Sequence, residues 1–428
     1  MKTKKSILVL FSLFFFINYC DEPTTVEEKD TESPTISFES LKDGDTVTNI
    51  IVIEVSTEDD KGISNVEFYI DEIMVLSDTS APYQYEWDTK IHKNGEVVVY
   101  AKSYDLSGNS SKSESLALQV FNGKLAYLDR RGGRLIIMDV DGSKQTILSD
   151  DGGITNALPQ FSIDGNTILY TNNSNIHLTD IDGNNQINLS NCETCTDMRG
   201  RFSPDEQKIT FYSFRENGGF YDIFLMDVDG NNITRLSSSP ENTHSYNPRF
   251  SLDGQKVVYL SLYGGRHDIH TVNIDGTNQS SLTDSSEKGG VHFDFSPDGR
   301  QIVFSDGKDI LLMDINGDNV IALTNSEGTY FSNLPRFSPD GKKIAFKYGN
   351  SESTGSDIFI MDADGSNLTN LTNDDATLHS GHSFHSNSKK IVYHKNSQIY
   401  IMDNDGSNVL QLTNDDGDNQ TPVFQPEQ

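Results

Sequence analysis

The sequence predicts an all-β protein in which a small β-sandwich precedes a β-propeller, and three observations carry that prediction. Short alternating apolar stretches of strand length follow one another, separated by Gly, Asp, Asn and Ser clusters that favour turns. Beyond Phe121 one pattern recurs seven times at intervals of 40 to 48 residues. The array is out of phase at its two ends, as a ring closed by its last strand requires.

In chain order, residues 1–20 read as an export signal: Lys2, Lys4 and Lys5 are basic, Ile7 to Ile17 is apolar, and polarity returns at Asn18. The apolar stretch is too short to span a bilayer comfortably. Cys20 follows, with Ile17 three positions before it, and this arrangement resembles the lipobox of bacterial lipoproteins. That resemblance implies a lipidated Cys20 as mature N-terminus, held at the membrane by acyl chains that each bury many methylenes at about 0.8 kcal/mol apiece. Plain secretion with cleavage elsewhere, or an uncleaved anchor, is the alternative, and no A-x-A site favours the first. Residues 21–33 are polar and Thr/Glu-rich, a flexible tether.

Residues 34–120 carry the strand-like stretches TVTNIIVIEVS, SNVEFYID, YQYEWD and EVVVYAKSYD between DDKG, KNG and LSGN turns. The stretches GISNVEFYID, APYQYEWDT and NGEVVVYAKSYDLSGNS resemble a bacterial immunoglobulin-like domain. Trp87, the single tryptophan, is expected in its core.

Residues 121–428 hold the repeat, cleanest in LPRFSPDGKKIAF followed by SDIFIMDADGSN and LTNLT. Its phenylalanine recurs at Phe161, Phe202, Phe250, Phe295, Phe337, Phe384 and Phe424, and its second turn ends at Gly142, Gly183, Gly230, Gly276, Gly317, Gly365 and Gly406. In FSPDGKK, proline presets φ at the first corner and glycine supplies the positive φ that rejoins the strand, so the element is a hairpin. In IFIMDADGSN an apolar strand ends at a second hairpin turn, where Asp and Asn cap the backbone. Each unit therefore holds about four short strands, the content of one propeller blade. The first unit lacks an FSPDG strand and the last, PVFQPEQ, has nothing else, so the C-terminal strand is expected to complete the first blade and remove both open edges. Seven blades are predicted, or six or eight if one unit is degenerate.

These repeats resemble the WD-repeat-like propeller units of TolB and, more distantly, the propellers of tricorn and prolyl-oligopeptidase-type peptidases. The TolB resemblance implies binding of partner proteins at the cell envelope. The immunoglobulin-like leader and the seventh unit depart from TolB's own arrangement.

Charge narrows the partners. Sixty-four acidic against 33 basic residues give a net charge of −31, which would repel nucleic acid and anionic headgroups. Cys192 and Cys195 stand in a polar, turn-like stretch, where an exported protein would staple a loop by a disulfide. No G-x-S-x-G elbow occurs. Repeated D-x-D-G strings such as Asp362–Gly365 and Asp403–Gly406 lack the distal glutamate of a calcium loop and read as hairpin turns. No cofactor is therefore expected, with structural calcium at such turns the weaker alternative.

The residues least explained by the repeat are candidates for a ligand site at the channel mouth. His379, His382 and His385 follow at three-residue intervals, and His244 and His292 precede the equivalent strand elsewhere. The first strand of each blade borders the channel, so His244, His292, His379 and His382 could converge there, although strand alternation sets His382 and His385 on opposite faces. Arg201, Arg249 and Arg336 share the register one before the phenylalanine, and Asp294 takes it in another blade. They form either a polar ring at the channel or pairs with the turn aspartates Asp253, Asp298 and Asp340, the simpler reading.

The expectation is a monomeric, non-enzymatic lipoprotein of the cell envelope, anchored in the outer membrane. Its immunoglobulin-like domain would space the propeller from the membrane, and the propeller would bind a protein, peptide or glycan. The alternative is a secreted polysaccharide hydrolase or lyase working at the channel mouth, which would need two acids within roughly 10 Å of each other.

Overall fold

The computed structural model describes residues 29–426 apart from 151, 155–157, 216–218, 238–241, 284–288, 327–329, 351–354 and 374–378. The export signal, Cys20 and residues 21–28 of the tether lie outside the described residues. Among the described residues no helix is long and apolar enough to cross a membrane. Apart from one 3-10 turn at Thr89–Ile91, the regular structure is strand.

The described residues form two compact units. One takes residues up to Asp45, Ile51–Trp87 and Glu96–Leu118, and the other takes Thr46–Ile50, Asp88–Gly95 and everything from Gln119 onward. In the first, Thr35–Phe38, Ile50–Glu58 and Gln84–Asp88 make one sheet. Leu116–Val120, Gly95–Asp105, Ile63–Ile70 and Ile73–Asp78 run side by side in another. Alternation aims Val66, Phe68 and Ile70 inward, and Trp87 is fully buried, a core residue as expected.

The second unit is a seven-bladed propeller built of seven four-stranded antiparallel sheets. Blades 2 to 7 begin with the innermost strands Gln160–Phe161, Asp197–Phe202, Thr243–Phe250, His292–Phe295, Tyr330–Phe337 and His379–Phe384. Blade 1 takes Lys124–Asp129, Arg134–Asp139 and Thr146–Ser149, and borrows its innermost strand, Asn419–Phe424, from the C-terminus. The pairs Leu125↔Phe424 and Ala126↔Val423 close the ring by giving blade 1 its fourth strand from the C-terminus.

Apolar runs without polar interruption, such as KVVYL in blade 4, arise because both faces of a blade are buried. Val257 and Tyr259 pack on blade 3, and Val258 and Leu260 on blade 5. Seven such inter-blade cores, one per junction, run round the ring from blade 1 against 2 to blade 7 against 1. The repeated phenylalanine recurs because each ring plugs one of these junctions, for example Phe337 among Val303, Ile310 and Leu312 of the preceding blade. Burying one such side chain stabilises by about 1.5 to 3 kcal/mol.

The turns that follow consume their own polar groups. In blades 2 to 6 the turn aspartate accepts a hydrogen bond from the serine hydroxyl two residues before it, at 2.6 Å in each case. The same carboxylate accepts the backbone N–H two residues after it. In the second hairpin turn Asp364 accepts both the backbone N–H and the hydroxyl of Ser366, and Asp362 accepts the Asn367 amide. These carboxylates are occupied as turn caps, the hairpin reading of the D-x-D-G string.

Candidate functional site

A cavity of 690 Å³ opens on the propeller axis where the innermost strands run into their turns. Its size is that of a ligand pocket. Phe161, Phe202, Phe250, Phe295 and Phe424 make an aromatic collar, with Ile163, Pro204 and Leu252 at the rim. Ile163 and Leu252 are 61% and 56% exposed, large apolar groups held in solvent around the opening.

One strand position supplies the cavity's arginines. The residue just before the repeated phenylalanine is Gln160, Arg201, Arg249, Asp294, Arg336, Ser383 and Val423 in blades 2 to 7 and then blade 1, and all but Asp294 line the cavity. Gln160 accepts the Phe202 N–H of the next blade at 3.1 Å, and Asp294 accepts that of Phe337 at 3.0 Å. The Arg249 guanidinium donates to Asp294 at 2.5 Å from one side, and Arg336 approaches the same oxygen to 3.6 Å from the other. The arginines thus form a polar ring across blades. Among the described residues Arg249 and Arg336 pair with Asp294 and not with the turn aspartates, which hold their own serines and backbone.

Arg201 differs from its two counterparts. Among the described residues its side chain has no ion pair or hydrogen bond. Burial, then the guanidiniums of Arg249, Arg336 and Arg199, pull its pKa well below the ordinary arginine value, against a weaker opposing pull from Asp294. Arg336 falls to about 10, by burial first and then Arg249. Arg199 is lowered chiefly by burial and donates to the Asn247 side chain at 3.2 Å.

The strand bends to achieve this. In blades 3, 4, 6, 7 and 1 the innermost strand carries an irregularity in its pairing just before the cavity residue. At each of them the residue two positions earlier has positive φ: Arg199 (52°), Asn247 (56°), Leu334 (57°), Gly381 (58°) and Thr421 (50°). A bulge re-aims the side chains that follow it, and left-handed backbone at Leu or Thr carries strain of roughly 1 to 3 kcal/mol that gathers at functional sites. Among these residues Arg199 and Asn247 were not legible as site residues, since nothing in a sequence announces positive φ at an arginine.

The histidines expected to converge do not. His382 alone lines the cavity, its Nε2 3.1 Å from the Ala345 carbonyl, and burial lowers its pKa to about 4. His379 is fully buried, with Nδ1 2.7 Å from the Ser356 carbonyl. His244 accepts the Tyr221 N–H and packs on the Phe220 and Tyr221 rings. His292 lies by Asn333, Arg336 and Arg199, lowered to about 4 by burial first and those two cations next. The bulge at Gly381 and the period of the strand send these rings in different directions. His385 packs on Phe121 and Phe424 at the junction of blades 7 and 1.

Cys192 and Cys195 are joined as a disulfide, their Cα atoms 5.4 Å apart, in the loop between blades 2 and 3. In the sandwich, carboxylate oxygens of Asp30, Asp59 and Asp105 lie within 4.8 Å of one another. There Asp105 caps the Ser107 and Asn109 backbone and holds the Asn109 amide.

Comparison with known proteins follows the two units. The family model described as the TolB beta propeller domain matches residues 117–332, and that described as a bacterial Ig domain matches residues 34–101. The crystal structure of TolB from Acinetobacter baumannii is 19% identical, with a TM-score of 0.46, over 78% of this chain and 81% of that one. An oligogalacturonate lyase in complex with manganese is 13% identical (TM-score 0.51; 69% of this chain, 86% of that one). A puromycin-hydrolyzing peptidase from Mycobacterium tuberculosis is 13% identical (TM-score 0.53; 74% of this chain, 51% of that one). Identities this low convey the propeller fold alone.

Proposed function

Because the chain belongs to the TolB β-propeller family, with a bacterial Ig domain ahead of the propeller, we propose that it is a non-catalytic binding protein of the bacterial cell envelope. Its propeller mouth receives a partner. The protein acts as a monomer, tethered through a lipidated Cys20, with the immunoglobulin-like domain as spacer. One observation carries the reading: the innermost-strand position just before the repeated phenylalanine, which lines the 690 Å³ axial cavity in six of the seven blades, changes chemistry from blade to blade, from Gln to Arg to Ser to Val.

The carboxylates there support binding over catalysis. Among the described lining residues Glu206 is the single acid, and its Oε1 accepts the Ile163 N–H at 2.5 Å. Asp294, beside the cavity, is held by two arginines and a backbone N–H. A glycosidase needs one free acid and one free base at a set separation. The described lining offers one acid and not the pair that such a mechanism needs.

Site-specific photocrosslinking in the envelope tests the reading. A photoreactive residue at Ile163 or Leu252, on the rim, is expected to capture a discrete partner, while one at Ile73, 68% exposed on the sandwich, is not. Capture only from position 73 would overturn it, as would turnover of an oligosaccharide by the purified protein.

A further inference from the structure

The cavity's chemistry narrows the partner. We infer that the axial cavity is a carboxylate-binding site, in which Arg201 receives an acidic side chain of an extended peptide flanked by apolar residues. This rests on the reading that the propeller mouth is the docking surface.

Arg199, Arg201, Arg249 and Arg336 gather around an axis where the carboxylates are Asp294 and Glu206, a local positive excess inside a chain of net charge −31. Asp294 is shared by Arg249 and Arg336, and Glu206 is bound to the Ile163 N–H. Of the three arginines in this register, Arg201 alone has neither an ion pair nor a hydrogen bond among the described residues, and it faces the cavity. Arg201 is half-buried on the cavity wall and faces three other guanidiniums, so an anion entering the cavity relieves their mutual repulsion. A carboxylate meets the guanidinium fork with two parallel hydrogen bonds.

The neutral lining selects peptide over sugar. A sugar presents many hydroxyls that need separate polar partners, yet the polar side chains at the mouth are mostly spent. Gln160 holds the Phe202 N–H, while Ser203 and Ser296 hold their turn aspartates. What remains is aromatic collar, exposed Ile163 and Leu252, and Arg201, the one lining arginine without an ion pair among the described residues. That surface fits apolar side chains on either side of a single anionic group. The strained bulges that precede the cavity residues in five blades fix this geometry before any ligand arrives.

Selection from a random 12-residue peptide library on the purified full chain tests the inference, followed by calorimetric titration with the best peptide. The selected sequences are expected to carry Asp or Glu beside apolar residues, and replacing that acid by its amide should weaken binding at least tenfold. Against Arg201→Gln the acid and amide peptides should bind alike, and Arg201→Lys, which keeps the charge without the fork, should fall between. Circular dichroism establishes that each variant is folded. Selected peptides without acidic enrichment, or an acid preference that survives Arg201→Gln, would overturn the inference. Arg201-dependent binding of trigalacturonate with no peptide selected would overturn the peptide assignment. If crosslinks form from Ile163 and Leu252 but no acid preference exists, this inference fails and the docking reading stands; crosslinks absent from the rim defeat the docking reading itself.

Discussion

Two positions four residues apart on each blade follow opposite rules. Three residues after the repeated phenylalanine stands the turn aspartate, the same in blades 2 to 6 and holding the same serine and backbone partners each time. One residue before that phenylalanine the identity changes from Gln to Arg to Asp to Ser to Val, and the side chains reach into other blades. Repetition marks what each blade needs for itself. Variation marks what the blades make together, because the axis is the one place all seven share and only unlike residues can give it a specific chemistry.

Breaking the repeated layer should have the largest effect. Phe337→Ala removes a ring that is 8% exposed from the junction of blades 5 and 6, and is expected to cost about 3 to 5 kcal/mol in urea unfolding. The same loss is expected at Phe384, in the next junction, if the blades are equivalent. A much smaller loss at one of them would show that the phenylalanines are not interchangeable core.

Acid should come next and act through the varied layer. His382 is held to about 4 when folded, with Arg336 and Asp294 as the charges around it, against about 6.5 when unfolded. As pH falls below 6.5 the unfolded chain takes up a proton that the folded one refuses, so stability is full above 6.5 and declines down to pH 4. The contribution is on the order of 3 kcal/mol at pH 4, since each pKa unit is worth about 1.4 kcal/mol. His292 and His394, also held to about 4, add to the decline. His382→Gln keeps a donor for the Ala345 carbonyl. It should flatten the loss between pH 6.5 and 4, and an unchanged slope would place the acid sensitivity elsewhere.

Removing one turn cap should do less. Asp340→Ala removes an acceptor from the Ser338 hydroxyl and the Lys342 N–H in an exposed turn away from the cavity lining, an expected loss of about 1 kcal/mol with ligand binding untouched. A change in binding would show that the turn layer and the axial layer are coupled.

The same contrast explains what the sequence made legible. Seven blades and closure by Asn419–Phe424 follow from local needs, a plug and two turns per unit, and those needs are written in each repeat. The register of Arg201, Arg249, Arg336 and Asp294 was legible as well, but their partners were not. A sequence does not show that the innermost strands of blades 4, 5 and 6 bring Arg249 and Arg336 to one oxygen of Asp294. The histidines misled for a related reason. Spacing along a strand predicts facing only while the pleat is regular, and the positive φ at Gly381 breaks it between His379 and His382.

The smallest expected effect on stability is the most telling, because its sign separates the two layers. Arg201→Gln deletes a charge that burial and three neighbouring guanidiniums oppose, and no described partner loses a hydrogen bond. A structural arginine would leave an orphaned acceptor and cost stability when removed. Here the unliganded protein should be unchanged or gain up to about 1 kcal/mol, a rise of roughly 2 °C or less in Tm for a propeller of this size. The gain should shrink as salt is added, since screening relieves the same repulsion in the wild type. Strain kept at a binding site and relieved by its substitution is the ordinary exchange between stability and function. A clear fall in Tm for Arg201→Gln would instead place Arg201 with the phenylalanines and turn aspartates, as one more part the ring needs in order to stand.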